Sequence, residues 1–347
     1  MNHDELTINV AEMKHEVLKC FDAGLVPMVT SSPGMGKSDV IRQVAKERNL
    51  YVIDVRLAQC DPTEINGFPH IVEVGGEKVA TYVPMDIFPI ESTPIPDGYD
   101  GFCLFLDELP SAPPMVQNAA YKLILDKAIG THHLHPKCYM VAAGNSLTDN
   151  AFVSKVGTAL QSRMVHYGLN LDVDLWLNWA TAHQVDYRII GFINYQRGNL
   201  HKFDPNHNDK TFPCPRTWEF VSRGVKGEPQ LSHKDIPFIA GCIGEGMARQ
   251  FVGYCEVFPK LPSYKAIING TAKAPTEPSV MFAVSALIGE QGQKQDLQAC
   301  IDFTDQMGPE FTVITLRQMV GRDATVLMNP VVVRYMQSTG REIFLDN

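Results

Sequence analysis

The sequence predicts an α/β fold with a parallel sheet in its first half, followed by a mainly helical second half. Three observations carry this prediction. The chain has 347 residues, and at roughly 150 residues per domain this length corresponds to about two domains. Strand-like and helix-like segments alternate up to about residue 170, which is typical of a parallel sheet covered by helices on both faces. Beyond that point the strand-like segments stop.

A capping-box pattern marks the start of the first helix. Asn9 is followed three residues later by Glu12, and apolar residues then recur at near-helical spacing until Gly24, a typical helix stop. The later predicted elements of this half are strand 25–31, helix 38–48, strand 51–57, a strand ending at Asp107 and Glu108, helix 114–127 and a strand ending at Asn145.

An inserted β-hairpin is predicted between the second and third core strands. In residues 68–84 two β-rich arms flank Gly75 and Gly76, which suit a tight hairpin turn. We expect this hairpin to project from the core.

The second half contains only predicted helices and loops. Trp176 and Trp179, spaced i, i+3, indicate the core of a helical region rather than a ligand site. The predicted helices cover residues 175–182, 187–197, 216–223 and 236–256, the proline-containing stretch 259–278 is predicted as a loop or linker, and 291–347 as further helices with an apolar segment at 330–336.

Composition argues against several classes of protein. The formal net charge is −9 and no block rich in lysine or arginine occurs, which disfavours a large nucleic-acid surface. Apolar stretches stay well short of the roughly 18 residues that span a bilayer, and the first residues lack a secretory-signal pattern. The 8 cysteines include no CxxC pair, so neither a zinc ribbon nor a redox motif is expected. A reducing cytoplasm is the simplest expectation for the location.

The segment SSPGMGKS, residues 31–38, carries the strongest chemical signal. Its end matches the phosphate-loop pattern GxxxxGK(S/T) between a predicted strand and a predicted helix. In such a loop, backbone N–H groups and a helix N-terminus face a polyphosphate, the lysine reaches the β- and γ-phosphates, and the hydroxyl binds Mg²⁺. Ser31 replaces the first glycine of the pattern; if that position needs a positive φ, serine costs about 1 kcal/mol or more. The predicted phosphate-binding residues are Pro33, Gly34, Met35, Gly36, Lys37 and Ser38.

Two acids follow the apolar strand CLFLDE. At a strand end some 70 residues after a phosphate loop, this pattern is typical of a Walker B element. We expect Asp107 to share the metal ion with Ser38, and Glu108 to orient and polarise the attacking water. Two solvated acids at a strand end are the alternative.

Asn145 ends the apolar strand MVAAGN. We expect its polar side chain to lie between the phosphate-loop strand and the strand of Asp107, where the amide contacts the γ-phosphate or the water. An asparagine in an ordinary turn is the alternative.

Together these motifs resemble a known family. SSPGMGKS, LFLDE, AAGN, ALQSRM and PRTWE, in this order and spacing, are similar to AAA+ ATPases, and more narrowly to the MoxR-like branch of bacteria and their phages. DPTEINGFPH with the following hairpin, YVP and the GEGMARQF run resemble that branch too. The resemblance covers about residues 5–260, and the last 90 residues match less clearly.

The resemblance implies a fold and a set of roles. It implies a P-loop NTPase αβα sandwich over 1–172, a helical lid over 173–290, and a C-terminal helical extension over 291–347 whose membership of the lid stays open. Arg163 matches the arginine finger that acts on ATP of the neighbouring subunit, and Arg216 matches the sensor 2 arginine. A surface ion pair is the alternative for Arg163. In that branch the inserted hairpin lines or overhangs a central pore; an ordinary surface hairpin is the alternative.

The implied activity is ATP hydrolysis with Mg²⁺ by a homo-oligomeric ring, expected to be a hexamer. MoxR-like ATPases commonly remodel a protein partner and work with a von Willebrand A-type protein. Two other functions compete: a nucleic-acid motor or loader, which the acidic balance disfavours, and a nucleotide-gated structural component. Among His132, His133 and His135, an HxH pair could share one strand face, but no third ligand for a metal ion is evident. Packed or solvated histidines are therefore more expected than a metal site.

Overall fold

Two compact units make up the chain, as seen in a computed structural model that describes residues 7–146, 157–206 and 209–338. The division falls between Leu171 and Asp172, and Asp204–Asn206 group with the first unit. The first unit contains all the described strands, and the second is helical. The fold class predicted from the sequence is therefore correct.

Six strands of the first unit form one parallel sheet. Within the sheet they lie in the order β1, β10, β2, β9, β6, β3. Because all six strands are parallel, each connection between successive strands of the sheet has to cross back over it, most often through a helix. The strands of the unit are β1 (Thr7–Ile8), β2 (Val26–Ser31), β3 (Leu50–Arg56), β4 (Phe68–Val74), β5 (Glu77–Val83), β6 (Gly101–Asp107), β7 (Ala128–Ile129), β8 (His132–His133), β9 (Cys138–Asn145) and β10 (Met164–Leu169).

Helices cover both faces of the sheet. On one face α1 and α2 pack Met13 and Ile41 against side chains such as Phe105 of β6. On the other, α3 and α4 pack with the neighbouring side chains of the same strand, such as Leu104 and Leu106. Alternate residues of one strand thus enter two separate cores, which explains why the central strands are apolar throughout. The helices are α1 (Val10–Asp22), α2 (Lys37–Glu47), α3 (Pro62–Asn66), α4 (Pro114–Asp126) and α5 (Thr158–Gln161).

The predicted hairpin is present as a separate antiparallel sheet of β4 and β5. Gly75 and Gly76 form its turn with φ of +64° and +89°, the left-handed region in which glycine is favoured. Apolar side chains are exposed on both of its faces, including Ile71 at 67% exposure and Phe68 at 53%. The hairpin therefore does not serve the core of the unit.

The second unit contains ten described α-helices. Trp176 is buried, as predicted, whereas Trp179 is half-buried and stacks on the ring of His183. The core also contains the fully buried Trp218 and further apolar side chains around α12 and α14. The helices are α6 (Val173–Ala182), α7 (Tyr187–Tyr195), α8 (Pro215–Val225), α9 (Ile236–Ile243), α10 (Glu245–Cys255), α11 (Tyr264–Ile268), α12 (Pro278–Gln291), α13 (Leu297–Thr304), α14 (Pro309–Arg322) and α15 (Pro330–Gln337).

Two sequence predictions in this unit need correction. The helix predicted over 236–256 is two helices, because Gly244 adopts a φ of +83° between α9 and α10. The stretch 259–278, predicted as a loop or linker, contains α11. Ser263 caps this helix through the N–H of Ala266, and Ile267 is buried in a cluster with α12 and α13.

Two further findings concern membrane-spanning helices and the cysteines. Across the described ranges, no helix combines the length and apolar character needed to cross a membrane. All 8 cysteines lie within those ranges, and each is a free thiol.

Candidate functional site

Three strands bring the predicted site residues to one edge of the sheet. Strands β2, β9 and β6 are neighbours, and each ends at its carboxyl end with a candidate residue: Ser31, Asn145 and Asp107. Ser31 pairs directly with Asn145 in the register of β2 and β9. The strand of Asn145 lies between the other two. The carboxyl edge of an open parallel sheet is where such folds bind ligands.

The loop after β2 has a backbone suited to surround an anion. Gly34 and Gly36 have φ of +77° and +89°, so both occupy conformations that other residues rarely adopt. Pro33 and Met35 lie in the same partly exposed loop. Helix α2 begins at Lys37 without a side-chain cap, and its positive N-terminal end therefore faces the loop. A Cβ added to Gly36 would meet no atom within 4 Å, so open space lies beside the loop.

Ser31, the departure from the phosphate-loop pattern, carries no backbone strain. It is the last residue of β2, it lies outside the left-handed region, and only 4% of its surface is exposed. The energetic cost that a positive φ would impose on serine therefore does not arise here. Its hydroxyl instead donates to the carbonyl of Ser32 at 3.0 Å.

Lys37 joins the loop to the strand of Asn145. Its Nζ donates to the carbonyl oxygen and to the hydroxyl of Ser31, each at 3.0 Å, and lies 3.4 Å from the carbonyl oxygen of Ser32. Nζ also donates to Oδ1 of Asn145 at 3.1 Å. One ammonium group thus holds two strand ends together at the point where the loop begins.

Ser38 and Asp107 approach each other from α2 and β6. The hydroxyl of Ser38 lies 3.5 Å from Oδ2 of Asp107, at the limit of a hydrogen bond. A hydroxyl beside a carboxylate is an oxygen-only donor pair of the kind that Mg²⁺ prefers, so these residues fit that ion. The two side chains predicted from the sequence as metal ligands therefore lie next to each other.

Burial raises the pKa of the Asp107 carboxyl above its usual value, and nearby Asp54 adds to the effect. The N–H of Glu108, which donates to Oδ1 at 2.9 Å, acts in the opposite direction, as do the charges of Lys37 and Arg56. Sequence reasoning missed Asp54 and Arg56. Their place beside Asp107 follows from the pairing of β3 with β6, in which Arg56 is in register with Asp107, and no local sequence pattern shows that register.

Glu108 occupies an unusual backbone position. Its φ of 59° and ψ of 28° are left-handed, which costs a non-glycine residue roughly 1–2 kcal/mol. It follows β6 directly and precedes a short 3₁₀ helix, Leu109–Ser111. The turn redirects the chain at the sheet edge. Glu108, which is half-buried, lies in this turn next to Asp107. Strained residues of this kind concentrate at functional sites.

The structure does not bring Arg163 to this cluster. Arg163 precedes β10, whose first residue, Met164, pairs with Val26 at the start of β2. The candidate cluster lies at the other end of β2, five residues away, which at a strand rise of ~3.3 Å is roughly 17 Å. The guanidinium is exposed, donates to the carbonyl of Ala159 at 2.6 Å, and lies 4.9 Å from the ring centre of Tyr121.

Arg216 belongs to the second unit, where it is exposed in the first turn of α8. The candidate cluster itself lies wholly within the first unit.

The histidines that follow α4 sit in the small hairpin of β7 and β8 and just after it. Nδ1 of His135 accepts the N–H of Lys137 at 3.0 Å. Across the described residues, no group of three histidine, cysteine or acidic side chains is arranged to hold a metal ion.

Comparisons with known proteins give structural likeness only. No family model matches the sequence, and no curated protein matches it. A structure of NtrX from Brucella abortus in complex with ADP is similar over 95% of this chain and 68% of its own, with 14% identity and a TM-score of 0.39. A point mutant of RuvB from Thermotoga maritima is similar over 95% of this chain and 87% of its own, with 13% identity and a TM-score of 0.41. Likeness of this extent carries no conclusion about activity, which has to come from the residues themselves.

Proposed function

We propose that the protein binds ATP with Mg²⁺ and hydrolyses it, as an AAA+ ATPase. One observation carries the proposal: Lys37 bonds to both Ser31 and Asn145, while Ser38 lies beside Asp107, all at one edge of a parallel sheet. This set of residues supplies a cation and two metal-binding oxygens next to a glycine-containing loop and an uncapped helix N-terminus. No other substrate class requires all of these groups at once as directly as a nucleoside triphosphate does.

Binding uses the loop first. The N–H groups of residues 33–38 and the positive end of α2 face the phosphates, and the left-handed glycines allow close approach of the backbone. Lys37 then exchanges its contacts with Ser31 and Asn145 for phosphate oxygens. Ser38 and Asp107 would hold Mg²⁺, which would supply positive charge to neutralise that of the phosphates.

Hydrolysis is assigned to the next two residues of the edge. The carboxylate of Glu108 orients the attacking water and accepts its proton, and the amide of Asn145 hydrogen-bonds the water or the γ-phosphate. Lys37 contacts Asn145 directly, so the exchange of its contacts on nucleotide binding frees the amide oxygen for this role. The chemistry needs positioning and charge rather than a covalent intermediate.

The remaining charge stabilisation is assigned to a neighbouring subunit. The distance of Arg163 from its own phosphate loop supports an action on the ATP of the next copy in a ring, which we propose to be a hexamer. Arg216 is assigned the sensor 2 role on the basis of the family resemblance.

The resemblance also supports a finer assignment. We propose a MoxR-like ATPase that remodels a protein partner in the cytoplasm, together with a von Willebrand A-type protein. The exposed apolar hairpin of β4 and β5 is a surface of the type that contacts proteins. A net charge of −9 supports a protein rather than a nucleic-acid substrate.

The test is ATP turnover by the purified full chain, with Glu108→Gln as the decisive variant. Wild type is expected to release phosphate only with Mg²⁺, and Glu108→Gln to bind ATP normally and lose at least about 100-fold in turnover, because an amide is a poor base. Glu47→Gln, an exposed acid on α2, is the control that keeps turnover. Wild-type turnover in Glu108→Gln would contradict the assignment of Glu108. Stimulation by DNA instead of by protein would favour the nucleic-acid alternative.

A further inference from the structure

An unusually close contact joins β9 to the turn after β6. A Cβ built on Gly144 would lie 2.2 Å from Cδ and 2.6 Å from Cγ of Pro110, far inside van der Waals contact. Both residues are buried. The absent side chain of Gly144 is what lets the proline ring rest on the strand. The backbone of Gly144 is not left-handed, so close approach, not conformation, is the reason for glycine here.

Each partner of this contact adjoins a proposed catalytic group. Gly144 directly precedes Asn145, and Pro110 follows Glu108 by two residues. The turn that carries Glu108 is closed by a hydrogen bond from the N–H of Ser111 to the carbonyl of Glu108 at 2.9 Å. A displacement of Pro110 is therefore passed to Glu108 through a single short turn.

The strand is the fixed side of the contact. Strand β9 pairs with β6 along one edge as far as Ala142, and with β2 along the other edge, where Gly144 itself pairs with Thr30. The turn is a short 3₁₀ segment outside the sheet, and it begins at the left-handed Glu108. Any added volume at Gly144 consequently moves the turn more than the strand.

We propose that Gly144 and Pro110 are positioning residues that set the place of the Glu108 carboxylate relative to Asn145. This inference rests on the proposed ATPase activity and adds a determinant of its rate. Neither residue touches the substrate. The contact holds the strained Glu108 at a fixed distance from β9, and Asn145 of β9 bonds to Lys37. It thereby fixes the position of the hydrolytic carboxylate relative to the phosphate-binding lysine.

The expected effect of Gly144→Ala falls on turnover. Restoring an ordinary contact of 3.4 Å or more requires the proline ring to move by about 1 Å. A misplacement of about 1 Å in a catalytic group typically costs about 100-fold in rate. We expect kcat to fall by about that factor, while the Kd for ATP, set by the loop and α2, changes much less.

The rescue variant is Gly144→Ala combined with Pro110→Ala. Removing Cγ and Cδ of the ring makes room for the new methyl group, so the double variant is expected to regain at least about tenfold in kcat over Gly144→Ala. If Pro110→Ala only damaged the fold, its loss of kcat would add to that of Gly144→Ala, and the double variant would be slower still. Pro110→Ala alone should lower kcat, because the turn loses its support, while ATP binding is retained.

Gly101→Ala is the matched control. Gly101 lies at the amino end of β6, in the same sheet but at the opposite edge, and a Cβ there would lie 2.5 Å from the carbonyl oxygen of Lys137. It should reduce thermal stability as Gly144→Ala does, yet leave kcat per folded molecule unchanged. The measurements are ATP Kd, kcat and thermal unfolding for all five proteins.

Each result decides something. If wild type hydrolyses no ATP, the proposed function falls, and this inference with it. If wild type hydrolyses ATP and Gly144→Ala keeps its kcat, the inference alone is wrong. The same holds if the double variant is no faster than Gly144→Ala. Should Gly144→Ala not fold, Pro110→Ala decides: a lowered kcat with normal ATP affinity supports the inference, and an unchanged kcat overturns it.

Discussion

A single ammonium group, that of Lys37, organises the candidate site at the scale of residues. It bonds to Ser31 at the end of one strand and to Asn145 at the end of the next. The Ser31 hydroxyl is thus an acceptor that the glycine of the usual pattern does not have. A phosphate group has to replace these contacts, so the same lysine both holds the loop together and binds the ligand.

Lys37→Ala is expected to abolish ATP binding. The substitution removes the only positive side chain of the loop, and charge-assisted bonds to phosphate are among the strongest that a side chain makes. The measurement is the Kd for a fluorescent ATP analogue, expected to rise by at least about 100-fold. Lys46→Ala, which changes an exposed lysine at the other end of α2, is the control. An unchanged Kd in Lys37→Ala would contradict the phosphate-loop assignment.

Asp107 predicts a dependence on pH. Because burial raises the pKa of this carboxyl, a proton competes with Mg²⁺ at higher pH than it would at an ordinary aspartate. The apparent Mg²⁺ affinity in the presence of ATP should therefore begin to weaken, as pH falls, at a higher pH than for an aspartate with the usual pKa of about 3.9. Asp107→Asn should lose most of the Mg²⁺ affinity and the part of this pH dependence that exceeds the dependence of Mg²⁺ binding to free ATP.

The raised pKa of Asp107 also affects the stability of the fold. Its pH dependence has the opposite sign from that of an acid whose pKa is lowered by a salt bridge. An acid whose pKa is higher in the folded state holds its proton more tightly there, so its contribution to stability decreases as pH rises through its titration. Asp107→Asn should thus unfold at the same or a higher temperature than wild type at neutral pH. A lower unfolding temperature together with unchanged Mg²⁺ affinity would contradict the role given to Asp107.

At the scale of elements, a buried ion pair ties α7 to α8 in the second unit. Asp186 and Arg188 are almost fully buried and form two hydrogen bonds, at 2.9 and 2.7 Å. Arg188 also donates to the carbonyls of Val225 and Glu228, at and beyond the end of α8, at 3.0 and 2.9 Å. Each polar group of the pair is thereby provided with partners, which is the condition for burying charge.

Arg188→Met should destabilise the second unit by about 3–5 kcal/mol, because it leaves the Asp186 carboxylate buried without its cation. All 3 tryptophans of the chain lie in this unit, so urea unfolding followed by tryptophan fluorescence reports on it selectively. The control is Arg223→Met, which removes an exposed partner of Glu219 and should cost at most about 1 kcal/mol. Equal losses in the two variants would refute the importance of the buried pair.

At the scale of the whole molecule, the position of Arg163 requires a second copy if this residue takes part in catalysis. It lies at the amino edge of the sheet, whereas the phosphate loop lies at the carboxyl edge. Its ring contact with Tyr121 and its bond to Ala159 leave it exposed at the surface. A ring in which each copy presents this edge to the next would pair every Arg163 with a neighbouring site.

Arg163→Ala is expected to bind ATP almost normally and to hydrolyse it far more slowly, since an arginine finger is typically worth about 10³- to 10⁵-fold in rate. Mixing Arg163→Ala with Lys37→Ala subunits should restore part of the activity, because one type of interface then joins an intact loop to an intact arginine. Each parent alone should stay inactive. No recovery despite verified subunit exchange would remove the support for action in trans, and full activity of Arg163→Ala as a monomer would refute the ring.

The sequence by itself determined the fold class, most elements and the identity of the candidate site. Period-two and period-3.6 apolar patterns are local, and so are the loop SSPGMGKS, the acids after β6 and the glycine turn of the hairpin. Strand β10 lacks a clear apolar pattern, because it is short and contains His166 and Gly168. Helix α11 was hidden for a similar reason, since five residues between prolines carry too little periodicity.

Only the tertiary structure decided which residues meet. The order of strands in the sheet placed Asn145 beside Ser31, and the register showed Arg56 opposite Asp107. The need for glycine at position 144 depends on Pro110, more than thirty residues earlier in the chain. Contacts of this kind follow from close packing between segments that are distant in sequence. Because no local pattern encodes such a distance, sequence reasoning can identify the residues of the site but cannot predict which of them are in contact.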